Sequence, residues 1–407
     1  MRLKQVLNYL GDTEALLGTK ATNRCSGVVI PPAVEEVTAP IEITSAAYGT
    51  YVDCAVLNST DYVVVILNGI SGSPTLGISG QVLRRGADGV VTEVTTVQTI
   101  AVGGSKVWSR PHVCMVTATK FVVVAQSTAD DKIYAIVCTV AGSTITAQSP
   151  VDAGATSTLG VEAEIVRIDT DRVLLSYADN TVRSVLRVGT LTGVSIAFGT
   201  AVEASNYVIA QLSDLAVTDY PNQFYVMTRG TGGNYRNIKV TVAGNVVTAG
   251  AESGAINLYS GTTITALRRI AADMFASAAT NITTGSEIVV NEYTTGTVKT
   301  TDGTVTANTA SHSAGDLIGF GDDRFAYFFA HMVGSGLVAY EKFEYNGTSS
   351  ITRHGTTVTI EAVDCDCIRA SKNGFTATKF PVVYVDKGTN PSQFKIKTFI
   401  YEAGVSW

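Results

Sequence analysis

The sequence predicts an all-β protein, a seven-bladed β-propeller, and three observations predict it. A two-strand unit recurs seven times at a near-constant spacing, its strands are apolar without in/out alternation, and the composition disfavours helix. The unit reads apolar strand, polar turn, second apolar strand opening on a bulky side chain. Its copies are CAVLNSTDYVVVI from Cys54, VCMVTATKFVVVA from Val113, IVRIDTDRVLLSY from Ile165 and LAVTDYPNQFYVM from Leu215. They continue as LRRIAADMFASAA from Leu267, LIGFGDDRFAYFF from Leu317 and CIRASKNGFTATKFPVVYV from Cys367. The second strands open at Tyr62, Phe121, Val173, Phe224, Phe275, Phe325 and Phe380, spaced 50 to 59 residues apart. Runs such as Tyr62-Val63-Val64-Val65-Ile66 read as strands buried on both faces, as in a blade stacked between two others.

Each repeat supplies two more strands around a tight hairpin. The turns are Ala87-Asp88-Gly89, Ala141-Gly142-Ser143, Thr192-Gly193, Ala243-Gly244-Asn245, Thr301-Asp302-Gly303 and Tyr345-Asn346-Gly347, rich in residues that accept positive φ. Four strands in about 50 residues is the propeller pattern. The seventh unit stops short: after Phe394–Tyr401 only Glu402–Trp407 remain. The stretch from Val28 to Thr44 is strand-like and precedes the first full unit, so it is expected to supply the missing outer strand of the last blade and close the ring. Its prolines, Pro31, Pro32 and Pro40, suit an outermost strand with a free edge. The chain thus divides into residues 27–407, the propeller, and residues 1–26, an N-terminal arm. Leu3, Val6, Leu7 and Leu10 give that arm the pattern of a short amphipathic helix, packed on the propeller or docked on another subunit.

Composition excludes several function classes. Charged residues make up 16% of the 407, the remainder being rich in Thr, Ser, Gly and Ala, which suits short strands. A net charge of −6 with no basic stripe argues against nucleic-acid binding. No apolar run reaches the length of a membrane span, and the N-terminus lacks the apolar core of a secretory signal, so assembly in a cytoplasm is expected. The six cysteines form no CxxC pair and read as buried free thiols. No serine-hydrolase elbow, P-loop, dinucleotide fingerprint or metalloprotease motif occurs, so the chain is not expected to be an enzyme or to need a cofactor.

One constellation stands out. The residue before each aligned apolar position is Asp53, His112, Glu164, Asp214, Ala266, Asp316 and Asp366. Inner strands line the central channel, so these side chains should form a ring at one depth. Two outcomes are open: a hydrated lining whose acids cap strand starts, or a cation site built by Asp53, Glu164, Asp214, Asp316 and Asp366. Oxygen-only ligands on a wide ring would suit calcium, with His112 a bystander. Like charges held together should also raise some carboxyl pKa values. Paired acids such as Glu164 and Asp316 leave a carbohydrate-cleaving site at the channel mouth as a further alternative.

In texture, the lysine-poor, Thr/Ser/Gly/Ala/Val-rich repeats resemble the β-propeller structural proteins of tailed bacteriophage virions. Ala163 to Asp179, followed by Val194–Gly199, carries the resemblance best. It covers about residues 27–407 and transfers no functional residue. What it implies is a non-catalytic virion component in a tail, fibre or capsid-associated position, or a host-recognition module. Its expected partners are other virion proteins, further copies of itself as a homo-oligomer, and a host-surface glycan or receptor. The alternative reading is a carbohydrate-binding or carbohydrate-cleaving propeller acting at the channel mouth.

Overall fold

In the computed structural model, the described residues run from Val34 to Tyr401, less 37–40, 44–47 and a set of short connecting stretches. The arm at residues 1–26, with its expected helix, and the tail at 402–407 lie outside the described residues. Seven antiparallel sheets follow one another along the chain, confirming a seven-bladed propeller. The inner strands of blades 1 to 7 are Tyr48–Val56, Trp108–Thr117, Glu164–Arg167, Ile209–Val217, Ile264–Ala271, His312–Gly319 and Cys365–Ala370. Each is followed by a second and a third strand in sequence order.

The outer edge is more broken than four strands per blade suggested. In blades 1 to 5 two short outer strands pair with one third strand. In blade 2 both Thr144–Ala147 and Val151–Ala155 lie on Lys132–Ala141. Pro150 stands between them and has no N–H to give the ladder. Blade 6 keeps a single outer strand, Ile351–Glu361.

Blade 7 is completed from the N-terminal side, as the truncated repeat requires. Val34–Glu36 and Ile41–Ile43 both pair with Gln393–Tyr401, with Val34 opposite Tyr401 and Ile41 opposite Ile396. Joining the two chain ends in one sheet makes the ring close through backbone hydrogen bonds and covers an edge that would invite pairing with another chain.

The core is a circle of hydrophobic clusters lying between neighbouring blades. Val122, Val124 and Ile133 of blade 2 meet Ile165, Leu175 and Val185 of blade 3. Val166, Leu174 and Leu186 of blade 3 then meet Leu215, Phe224 and Val226 of blade 4. The pattern continues round to blade 7, whose Val383 and Phe394 join Cys54, Tyr62 and Val82 of blade 1. Because each second strand is covered on both faces, its residues need no alternation; Phe121 to Ala125 are all fully buried. Among the described residues, the seam between blades 6 and 7 is the richest in buried aromatic side chains. Phe399 stacks on Phe380 with centroids 5.7 Å apart and meets Phe328 edge-on at 5.1 Å. Each such buried side chain contributes roughly 1.5–3 kcal/mol, so this seam reinforces the blade that closes the ring.

Hairpin tips tie the blades together on one face. Gly142, Gly193 and Gly244 occupy equivalent turns with φ of 57°, 64° and 58°, a backbone state that costs glycine nothing. Lys120 of blade 2 donates to the Gly193 carbonyl of blade 3 at 2.6 Å. Arg172 of blade 3, at the equivalent position, donates to the Gly244 carbonyl of blade 4.

Removing residues 1–44 should strip the outer strands from Gln393–Tyr401. We expect a fall in melting temperature of roughly 5 °C or more, with aggregation visible by size-exclusion chromatography. Unchanged melting of a monodisperse deletion variant would show that closure contributes little.

Candidate functional site

The sequence puts an acid at the ring position in five of the seven repeats, and the structure shows what three of those acids do. Asp53 accepts the N–H of Cys54 on Oδ1 and the N–H of Val113, in the next blade, on Oδ2, both at 2.9 Å. Asp214 repeats the arrangement with Leu215 at 2.7 Å and Leu267 of blade 5 at 2.8 Å. Asp316 does so with Leu317 at 2.8 Å and Ala370 of blade 7 at 3.0 Å. Each carboxylate therefore bridges its own strand to the neighbouring inner strand, a charge-assisted contact of the stronger kind.

The register corrects the sequence alignment in blade 7. Ala370 pairs with Val382, two residues beyond Phe380, just as Cys54 pairs with Val64, two beyond Tyr62, and Leu317 with Tyr327, two beyond Phe325. The ring position of blade 7 is thus Arg369, not Asp366. A register shift between Cys365 and Ile368 and a longer turn before Phe380 defeat simple counting from the first apolar residue. The side chain of Asp366 lies outside the described ones.

Two arginines enter the ring. Ala266 holds the ring position of blade 5 without a side chain to contribute, and Arg268, two residues on and hence on the same strand face, fills the space. Its Nη1 lies 3.0 Å from Asp214 Oδ2 and its Nη2 2.6 Å from Asp316 Oδ1, joining blades 4, 5 and 6. On the opposite side, His112 Nδ1 stands 3.3 Å from both Asp53 Oδ2 and Glu164 Oε1. The Tyr51 hydroxyl meets His112 Nε2 at 3.0 Å and accepts a hydrogen bond from Arg369. Asp53, His112, Glu164, Asp214, Arg268, Asp316 and Arg369 are all buried.

The described acids of this buried network meet backbone amides, Arg268 and His112. Among the described residues, no group of three or more His, Cys, Asp or Glu side chains is placed to hold a metal ion. Glu164 and Asp316, named above as a possible acid pair, are engaged with His112 and with Arg268 respectively. The expected rise in carboxyl pKa is found at Asp214, which burial pushes up to about 6, with the Asp316 charge adding to it and Arg268 opposing. The five cysteines among the described residues are buried, and none of them is in a disulfide.

A second site emerges at the rim. The outer strands of blades 3 and 4 flank a cleft of about 330 Å³ lined by Glu203, Ala204, Ser205, Ala249, Gly250, Ala251 and Glu252. Small residues make the room, and a carboxylate stands at each side. Arg183 Nη1 donates to both oxygens of Glu203, at 2.8 and 2.7 Å, and Arg236 Nη1 to Glu252 Oε2 at 3.1 Å. The outer-strand positions are fixed by pairing: Glu203 lies opposite Val185 and Glu252 opposite Ile238. Blade 2 carries the same pair as blade 3, Lys132 with Asp152 at 2.5 Å, Asp152 lying opposite Tyr134 as Glu203 lies opposite Val185. The hairpin turns aligned in the sequence do not carry this signal; it lies in the start of the third strand and the far end of the outer edge, where Lys132 matches Arg183 and Asp152 matches Glu203.

No family model matches the chain, and no curated protein matches it in sequence. Solved structures do match in shape. The BP39L lectin of Burkholderia pseudomallei is 13% identical, with a TM-score of 0.60 over 88% of this chain and 97% of its own. A protein of unknown function from Dyadobacter fermentans is 8% identical, with a TM-score of 0.54 over 91% of this chain and 100% of its own. AofleA of Arthrobotrys oligospora is 8% identical, with a TM-score of 0.51 over 84% and 94%. At such identities the likeness establishes the fold, a β-propeller, and nothing finer.

Two outcomes test the ring. Arg268→Met leaves two buried carboxylates without their cation and should cost roughly 3–5 kcal/mol, read as a lowered denaturation midpoint. Asp214, whose folded pKa lies above its value of 3.8 in the unfolded chain, binds a proton more tightly when folded. Its contribution is therefore full below pH 4 and is lost as pH rises through 6. Across that window wild type should lose stability relative to Asp214→Asn; parallel melting curves from pH 4 to 6.5 would refute this.

Proposed function

We propose that this chain is a glycan-binding propeller, acting without catalysis, and that the cleft between blades 3 and 4 is its binding site. The observation that carries the reading is the cleft itself: an open, small-residue pocket edged by two carboxylates, each oriented by an arginine. Sugars are recognised through arrays of hydroxyls, and a fixed carboxylate accepts such hydroxyls with lone pairs that its arginine leaves over. The volume lies at the lower end of small-molecule sites, which fits one or two sugar rings. The likeness to a propeller lectin supports the same reading. The buried, arginine-paired ring favours the rim over the channel mouth, where the alternative reading of the sequence put a carbohydrate site.

The phage resemblance remains a proposal about where such a module works. A glycan-binding propeller on a virion would serve host recognition, and the support for that placement is the texture of the repeats.

Ala251 is exposed, so Ala251→Trp should fill the cleft without disturbing the core. We expect this variant to melt like wild type and to lose at least tenfold in retention on a glycan array, the cost of excluding one sugar ring. Equal retention of the same glycans by both proteins would remove the cleft from consideration.

A further inference from the structure

We infer that the ligand of the blade 3–4 cleft is a sugar without acidic groups, and that among such sugars a free amine is favoured; the inference rests on the glycan-binding reading above. The groups that line the cleft are unequal in kind. Glu203 and Glu252 face the space, whereas Arg183 and Arg236, which hold them, do not line it. Among the described residues, those that line the cleft are the two glutamates, Ser205 and small residues, and none of them carries a positive charge.

The ion pairs leave the acids able to accept more. A carboxylate offers about four lone-pair sites. Glu203 receives one guanidinium nitrogen shared between its two oxygens, and it is 44% exposed. Glu252 receives Arg236 on Oε2. Ligand donors therefore have acceptors to meet on both sides of the cleft. Hydroxyls supply donors at no charge cost, and an ammonium supplies three donors with a complementary charge. A uronic or sialic acid brings a carboxylate between two others, which repel it in a partly screened site. The net charge of −6 acts in the same direction at longer range.

The geometry also says why the arginines do not reverse this preference. The Arg183 guanidinium is held on Glu203 in blade 3, and that of Arg236 on Glu252 in blade 4, each drawn along its own blade. The arginines thus act as positioning residues, fixing the carboxylates rather than meeting the ligand.

The test uses the full chain, titrated with three oligosaccharides of equal length: glucosamine oligomers with free amines, their N-acetylated counterparts and oligogalacturonate. At low salt we expect the free-amine oligomer to bind several-fold more tightly than the N-acetylated one, and oligogalacturonate about tenfold or more weakly than either. Glu203→Gln should shrink both gaps, whatever its effect on the affinity for the neutral oligomer, because the amide keeps the shape of the wall and removes its charge. Glu203 is a surface side chain, so unchanged melting is the control for folding; Glu252→Gln repeats the test from the other wall. Preferential binding of oligogalacturonate would overturn the inference and leave glycan binding standing. Gaps that persist in both variants would overturn the assignment to these two acids. Absence of binding across all three sugars, and on a broad glycan array, would overturn the glycan reading itself.

Discussion

The structure depends on one recurring contact, a buried carboxylate that accepts two backbone amides, one from its own inner strand and one from the next. Asp53, Asp214 and Asp316 each make it, with donor distances of 2.7–3.0 Å. Inner strands of adjacent blades belong to different sheets and share no ladder. Their facing amides would be left without acceptors near the axis, where burial makes an unmet donor costly. A short acidic side chain solves this locally. Three acids close to one axis then create the next problem, the accumulation of buried negative charge.

Arg268 answers that problem for Asp214 and Asp316, from the blade whose own ring position, Ala266, carries no acid. On the other side, His112, Tyr51 and Arg369 form a chain of contacts between Asp53 and Glu164 of blades 1 and 3 and the seventh blade. These contacts join the inner strands of blades 1 to 3 and 7 at the centre of the molecule. The outer strands are where the repeats diverge. There the same motif, a basic residue on the third strand and an acid on the outer one, recurs in blades 2, 3 and 4 with changing geometry.

Rim and axis also differ in how they tolerate change. The acids of the ring are buried and tied to backbone amides on two blades, so substitution there is felt as stability. Glu203 with Arg183, and Lys132 with Asp152, are close to half exposed, and pairs of that kind contribute little to stability. Their geometry can vary from blade to blade without threatening the fold, which is the condition under which a binding surface can diverge.

By itself, the sequence determined the number of blades, the identity of the buried second strands and the closure of the ring by residues 34–43. Those features are local or periodic. Apolar runs such as Phe121–Ala125 report burial on both faces, and seven copies fix the count whatever the details of packing. It also located five of the ring positions that carry ionisable side chains, because a shared position in a repeat implies a shared place in space. Only the tertiary structure decided what those side chains do. The ring residue of blade 7 depends on a strand register that counting could not see past the longer turn before Phe380, and Arg268 reaches the ring from a position that carries no acid in the motif. The rim cleft is further removed from the linear code, since Glu203 and Glu252 lie 49 residues apart and are brought together only by the packing of one blade on the next. Charge compensation and cavity shape are properties of neighbours across blades, and a repeat read one copy at a time does not contain them.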